Sequence, residues 1–222
     1  MLYSDRMSTP GSLAEPARVA VIVNPTKVDM EALRAAVEQA ESDAGWAPSL
    51  WLETSVDDPG QGRAREATAA RVTAVLTAGG DGTVRAVAEG MLDSGIPMVL
   101  IPSGTGNLLA RNLGLSLGKL SDSLTTAVTG VDQAIDVGVA ELTRDDGSVE
   151  RHAFVVMVGI GLDAKMIAAT NPNLKKRVGW LAYVEATARI VRDVDAVRVR
   201  YTLDGSAERA TTVHTLLIGN CG

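Results

Sequence analysis

The stretch Thr73-Ala-Val-Leu-Thr-Ala-Gly-Gly-Asp-Gly-Thr83 constrains the fold more than any other part of the chain. Ala74 to Ala78 is a short apolar run of the kind buried on both faces of a parallel sheet. The run stops at Gly79-Gly80-Asp81-Gly82-Thr83, and from Val84 to Met91 apolar residues return at helical spacing. A strand, a glycine turn and a helix, in that order, present backbone N–H groups and a positive helix end to an anion such as phosphate. Glycines at 79, 80 and 82 remove the Cβ atoms that would keep main chain and anion apart. Asp81 is the discordant residue, because a carboxylate repels a phosphate unless a cation lies between them. It is therefore expected to face Mg²⁺, directly or through water.

The residues on either side repeat this grammar. Arg18 to Val23 reads as a strand running into Asn24-Pro25-Thr26-Lys27, where Asn24 suits a tight turn and Pro25 ends the ladder. Asp29 can cap a helix that runs through Glu41. Ser49 to Glu53 is a second strand ending at Thr54, followed by a loop over Asp57 to Gly62 and an Ala-rich helix to Ala70. Pro97 to Ile101 is a fourth strand, and it ends in Pro102-Ser103-Gly104-Thr105-Gly106-Asn107 before a helix over Leu108 to Leu113. Strands alternating with helices predict a doubly wound parallel sheet, an α/β domain over residues 18–130. In such sheets the ligand lies off the carboxyl ends of the strands. Four polar or glycine-rich strand ends on one edge predict a single site.

Composition narrows the classes. The chain is 46% hydrophobic but only 3% aromatic, so its core must be built from Ala, Val, Leu and Ile. A net charge of −6 argues against a nucleic-acid binder, though local dipoles can still hold a phosphate. Cys221 is the single cysteine, which excludes an intrachain disulfide and a cysteine zinc site and suits a reducing compartment. Residues 1–17 read as a loose leader without the apolar segment of a signal peptide. No apolar run is long enough to cross a bilayer. A cytoplasmic protein is expected, with membrane contact at most peripheral.

After Gly130 the pattern changes. Val131 to Leu142 and Arg151 to Val158 read as strands about Asp146-Gly147, a hairpin signal. Helices are expected over Gly159 to Ala169 and Val178 to Val191, then strands over Asp195 to Leu203 and Arg209 to Ile218. These elements predict a second, β-rich domain over residues 131–222, mostly antiparallel and sandwich-like. Because the chain stops on a strand, at Leu216 to Gly222, that domain is expected to be incomplete.

Two glycine–threonine turns on neighbouring strand ends, one with an Asp, supply most of a cradle for a nucleotide with Mg²⁺. Neither turn is a Walker A loop, and neither matches Gly-x-Gly-x-x-Gly. Thr83 and Thr105 can offer hydroxyls and N–H groups to phosphate oxygens, or simply cap their helices. Ser103 and Gly104 belong to the second turn, where Asn107 could bind ribose or phosphate or close its own loop. Lys175-Lys176-Arg177 before Trp180 and Tyr183 could touch an anionic membrane or form a solvated helix start. His152 and His214 sit in strand patterns and read as packed or exposed, and Glu185 as a surface residue.

Asn24-Pro25, Gly79-Gly80-Asp81-Gly82-Thr83 and Pro102-Ser103-Gly104-Thr105-Gly106-Asn107-Leu108-Leu109-Ala110-Arg111, in that order, resemble the diacylglycerol kinase catalytic family. That family includes sphingosine and ceramide kinases and bacterial lipid kinases. Ile135-Asp136-Val137-Gly138 and the segment from Phe154 to Ala164 are similar to the start of its second domain. The resemblance implies ATP-dependent phosphorylation of a lipid hydroxyl with Mg²⁺, diacylglycerol being the expected type of substrate. It implies ATP contacts at Asn24, Pro25, Thr26, Lys27, Val28 and Thr54, at Gly80, Asp81, Gly82, Thr83, Val84, Arg85 and Ala86, and at Thr105. It places Asp81 and Asp136 in the Mg²⁺ and water network, and the lipid in the second domain. A homodimer is compatible with it.

Three departures qualify the resemblance. Bacterial members usually carry Asn-Glu where this chain has Arg85-Ala86, and many have Asp where this chain has Leu108. The general base of bacterial members lies in a late Asp-Gly-Glu element, which Asp204-Gly205-Ser206 is not, so the base is expected beyond Gly222. Asp81 is the candidate catalytic residue within the chain, and could serve as base as proposed for some sphingosine kinases. Gly-Gly-Asp-Gly is shared with NAD kinases, so an NAD kinase and a non-catalytic nucleotide-binding module stand as alternatives.

Overall fold

The computed structural model describes residues 16–161 and 196–220. The chain forms two compact units that divide between Asp136 and Val137.

The first unit begins with β1 (Val19–Val23), α1 (Met30–Ala44), β2 (Leu50–Glu53), α2 (Gln61–Ala69) and β3 (Ala74–Gly79). It continues with α3 (Asp81–Gly90), β4 (Met98–Pro102), α4 (Leu108–Asn112) and α5 (Leu120–Thr129). The four strands form one parallel sheet in the order β2-β1-β3-β4. Both inner strands are buried along their whole length, which is why they read as unbroken apolar runs without alternation. Alternate residues of β1 serve opposite faces. Val19, Val21 and Val23 pack with Leu33, Val37, Leu76 and Leu124, the layer to which α1 and α5 contribute. Ala20 and Ile22 pack with Ala64, Ala67, Val75, Val87 and Met91, the layer of α2 and α3. Large aliphatics on one face and alanines on the other let α2 and α3 lie close without aromatic side chains.

No sequence expectation covers α5; the other elements of this unit fall close to where their sequence signals put them, with one shift that matters. Helix α3 starts at Asp81, three residues before Val84, so Asp81, Gly82 and Thr83 are its first turn and only Gly80 remains as the extended N-cap. The glycine turn is therefore mostly helix.

The second unit contains β5 (Gly138–Thr143), β6 (Val149–Phe154), β7 (Met157–Gly161), β8 (Val197–Tyr201), β9 (Arg209–Val213) and β10 (Thr215–Gly219). They form three antiparallel pairs, β5-β6, β7-β10 and β8-β9. The turns at Gly147 and at Asp204-Gly205 have positive φ, as their hairpin signals predict. Three expectations are corrected here. Residues 131–137 are not strand, because β5 starts only where its partner β6 reaches Gly138. The single strand expected over Arg151 to Val158 is two, since β6 pairs locally and β7 pairs with distant β10. The strand expected over Arg209 to Ile218 divides in the same way at His214, and Gly159 to Gly161 belong to β7 and not to a helix. No Gly or Pro marks these breaks; the change of partner does. Residues 162–195 lie outside the described residues, and with them the remaining expected helices, the run Lys175 to Arg177 with Trp180 and Tyr183, and Glu185. Cys221 and residues 1–15 lie outside them too.

Candidate active site

All four strands of the first unit are parallel, so their carboxyl ends share one edge. Three backbone hydrogen bonds carry the ladder a step past the strands. Thr54 N–H donates to the Val23 carbonyl at 2.9 Å, Asn24 N–H to Ala78 at 2.9 Å, and Ser103 N–H to Gly79 at 3.0 Å. Thr54, Asn24, Gly79 and Ser103 are thereby fixed side by side in a row.

Each turn beyond the row is held by its own polar side chain. Asn24 Oδ1 accepts from the Thr26 N–H at 3.1 Å and from the Thr26 hydroxyl at 2.8 Å, which leaves Thr26 and Lys27 at the surface. Asn107 lies in the left-handed region at φ 49, a conformation Asn tolerates better than most residues. Its side-chain oxygen accepts from Gly104 N–H and its amide donates to the Gly104 carbonyl, both at 2.9 Å. Asn107 thus closes its own loop, the plainer of the two roles open to it. Thr105 is exposed at the tip of that loop.

The two glycine turns touch. A Cβ on Gly104 would stand 2.7 Å from Gly80 Cα, and one on Gly106 would stand 2.5 Å from Asp81 Oδ2. Asp81 bridges the contact: Oδ2 accepts from Asn107 N–H at 3.0 Å and Oδ1 from Leu108 N–H at 2.6 Å. Gly79 is required by packing as well, since its Cβ would meet the buried Thr83 side chain at 2.7 Å. Gly82 differs. It is exposed, and a Cβ there would meet nothing within 4 Å.

The helix starts divide the same way. Asp29 Oδ1 accepts from Ala32 N–H over α1, Asp58 accepts from Gly60, Gly62 and Arg63 N–H over α2, and Asp81 covers α4. Helix α3 has no side-chain cap. Its first-turn N–H groups and its dipole stand at the end of the central strand without a carboxylate over them.

The remaining expected residues take varied places. Val84 and Ala86 are buried, so only their main chain can face a ligand. Arg85 forms an ion pair with Glu89 one turn on, at 2.8 Å. Lys27, Val28 and Ser103 line an open cleft of about 230 Å³ with Leu33, Ile101 and Leu120, which flanks the row without enclosing a small molecule. Asp136 is the last residue of the first unit. His152 is exposed near Glu150. What sequence reasoning missed is the acceptor role of Asp81 toward α4, 26 and 27 residues away. No local motif announces a cap supplied from another element.

The donor set does not fit a resident metal ion. Among the described residues no three His, Cys, Asp or Glu side chains gather to hold one, and both Asp81 oxygens are aimed at backbone N–H groups. A cation carried in on a polyphosphate needs no such cage, because phosphate oxygens and water supply most of its ligands. Among the described residues no helix is long and apolar enough to cross a membrane.

The chain that builds this arrangement is similar to known proteins in sequence and in fold. The model of the diacylglycerol kinase catalytic domain matches residues 18–140, more than half of the chain. A probable lipid kinase YegS-like protein of Pseudomonas fluorescens is 35% identical over 156 residues, which cover 69% of this chain and 48% of that protein. The diacylglycerol kinase of Bacillus subtilis is 28% identical over 192 residues, 85% of this chain and 60% of the relative. The chain therefore spans less than two thirds of the length of these curated relatives. A crystal structure of a diacylglycerol kinase from Bacillus anthracis superposes with a TM-score of 0.60 at 23% identity, covering 93% of this chain and 65% of that one, which establishes the shared fold. With the family model spanning the whole parallel sheet and both of its glycine turns, the chain belongs to the diacylglycerol kinase catalytic-domain family.

Proposed function

We propose that this chain carries the nucleotide-binding part of an ATP-dependent lipid kinase, which moves the γ-phosphate of ATP to a lipid hydroxyl of the diacylglycerol type. The observation that carries the proposal is the start of α3. Gly82 occupies an exposed helical position where a side chain would clash with nothing, in the one strand-end helix over the sheet centre that lacks a carboxylate cap. Glycine costs a helix about 0.8–1 kcal/mol relative to alanine. Among the described residues no contact repays that cost, whereas close approach by a polyphosphate would.

In this proposal the phosphates of Mg²⁺-bound ATP, the substrate form, accept hydrogen bonds from the first-turn N–H groups of α3, supported by its dipole. Thr105 and the loop of Asn24 to Val28 flank the nucleotide. The lipid oxygen bonds to the γ-phosphorus as the bond to the β,γ-bridging oxygen breaks, so ADP leaves and the hydroxyl proton passes to a base. Catalysis of this kind depends on positioning and charge stabilisation more than on covalent chemistry. The second unit is proposed to receive the lipid; the β7–β10 ribbon exposes Ile160 and Ile218 on one face, apolar surface suited to an acyl chain.

The test is transfer of labelled γ-phosphate from ATP to mixed micelles containing diacylglycerol, monoacylglycerol, sphingosine or ceramide, with NAD as a soluble control. It is run with the purified protein. Labelled lipid supports the proposal. Label in NADP alone moves the activity to the NAD kinases, and ATP binding without any transfer leaves a nucleotide-binding module.

A further inference from the structure

Asp81 is the first residue of α3, yet its carboxylate serves another helix. Both of its oxygens accept from the N-cap and first-residue amides of α4, at 3.0 and 2.6 Å. Helix α4 has five residues and no side-chain cap from its own N-cap residue, so it is far too short to be stable by itself. The approach depends on Gly106, where a Cβ would come within 2.5 Å of Asp81 Oδ2, and on Gly104, where a Cβ would come within 2.7 Å of Gly80 Cα. Two hydrogen bonds to a carboxylate and two Cβ-free contacts therefore join one glycine turn to the other. Asn107 Oδ1 and Nδ2 rigidify the second turn from within.

We infer that Asp81 is a positioning residue: its carboxylate clamps the turn over residues 103–107 against the start of α3, and it acts on bound nucleotide through that turn and not as a direct metal ligand. Hydrogen bonds to an ionised acceptor are about twice as strong as neutral ones, so the pair is a strong local tie. The same two N–H dipoles offset the negative charge of the carboxylate. An Asp can then sit beside a phosphate-binding helix start without a cation held between them. The spacing of the two turns is set by this tie, and with it the width of the site that Gly82 and Thr105 would share.

The inference rests on the nucleotide proposal in its kinetic arm alone. The first measurement is amide hydrogen exchange in the full chain without nucleotide, metal or lipid. The N–H groups of Asn107 and Leu108 should exchange at least about tenfold more slowly than unprotected amides. Unprotected amides at both positions in the wild type would overturn the clamp. Two variants follow. Asp81→Asn retains the size but replaces one acceptor with a donor that faces an N–H group. Gly106→Ala retains the carboxylate but pushes it away. In both, exchange at Asn107 and Leu108 should accelerate by about tenfold or more while β1 keeps its protection.

In the kinase assay both variants should raise KM for ATP by about tenfold, with the Mg²⁺ concentration for half-maximal rate staying within about twofold. A tenfold shift in Mg²⁺ requirement for Asp81→Asn, absent from Gly106→Ala, would make Asp81 a metal ligand and refute the inference. A wild type with protected amides and no phosphotransfer would leave the clamp standing and refute the kinase proposal instead.

Discussion

Gly82→Ala separates a glycine kept for a ligand from a glycine kept for the fold. Gly82 is the second residue of α3, its φ is not positive, and an added Cβ meets no atom within 4 Å. Alanine at a compatible helical position stabilises by about 0.4–1 kcal/mol, chiefly by restricting the unfolded chain. For a chain of this length that is an increase in Tm of about 1–4 °C without ligand. Nucleotide binding should move the opposite way. If the methyl group displaces a phosphate from one N–H group, the loss is that of a charged hydrogen bond, about 1.5–3 kcal/mol, or roughly 10- to 150-fold in Kd. Differential scanning calorimetry reads the first quantity, and titration calorimetry with a non-hydrolysable ATP analogue reads the second. A variant that is stabilised yet binds with wild-type affinity would refute the ligand explanation for Gly82. A variant that is destabilised would refute the open space around it.

Other substitutions test the scaffold beneath the site. Asn107→Ala loses two hydrogen bonds to Gly104 and puts alanine, which tolerates the left-handed region less well than asparagine, at φ 49, so urea unfolding should show a loss of about 2–3 kcal/mol. Asn107→Gly, which tolerates that φ, should lose less; equal losses would remove the strain from the account. Leu76→Ala at a fully buried position of β3 should cost about 2–5 kcal/mol in the same assay, and a loss below about 1 kcal/mol would contradict its place in the core. In the β5–β6 hairpin, the Arg144 side chain, then His152, hydrogen-bond to Glu150 and hold its carboxyl down at about 2. Because the folded value lies below the ordinary 4.5, this contribution is present above pH 4.5 and is lost as the pH falls from there toward 2. Amide protection across β5 and β6 should weaken over that window, less so in high salt because the pair is exposed. Glu150→Gln should remove this share of the dependence and leave that of Asp146, whose carboxyl is held down by hydrogen bonds from Ser148.

The parallel sheet was legible because burial on both faces leaves a local imprint. Residues 19–23 and 74–79 form buried runs without alternation, broken only by Thr77, as inner parallel strands do. The convergence of Asn24, Thr54, Gly79 and Ser103 followed from the same fact, since parallel strands put successive carboxyl ends on one edge. The second unit was less legible. Its strands alternate poorly and expose much of their apolar surface, as with Val139, Val149, Leu217 and Ile218, so their limits depend on which partner each finds. Val155-Val156 and His214 carry no turn signal, and a strand that changes partner there looks continuous in sequence.

Within the site, sequence alone could not apportion the glycines. Gly79, Gly80 and Gly82 look equivalent in the motif, yet among the described residues a Cβ would crowd Thr83 from Gly79, would meet Gly104 only at an ordinary 3.5 Å from Gly80, and would meet nothing from Gly82. The Asp81 carboxylate presented the same ambiguity. Its repulsion of a phosphate was a sound premise, and a cation was the only partner that a linear motif could suggest. The structure supplies another in the N–H groups of Asn107 and Leu108, brought within reach because β3 and β4 are neighbours in register from Val75–Met98 to Gly79–Pro102. The side chain at position 108 does not enter this contact, since Leu108 contributes through its backbone. An apolar residue is compatible with the clamp there, and an acidic residue would set a second carboxylate near the one already held.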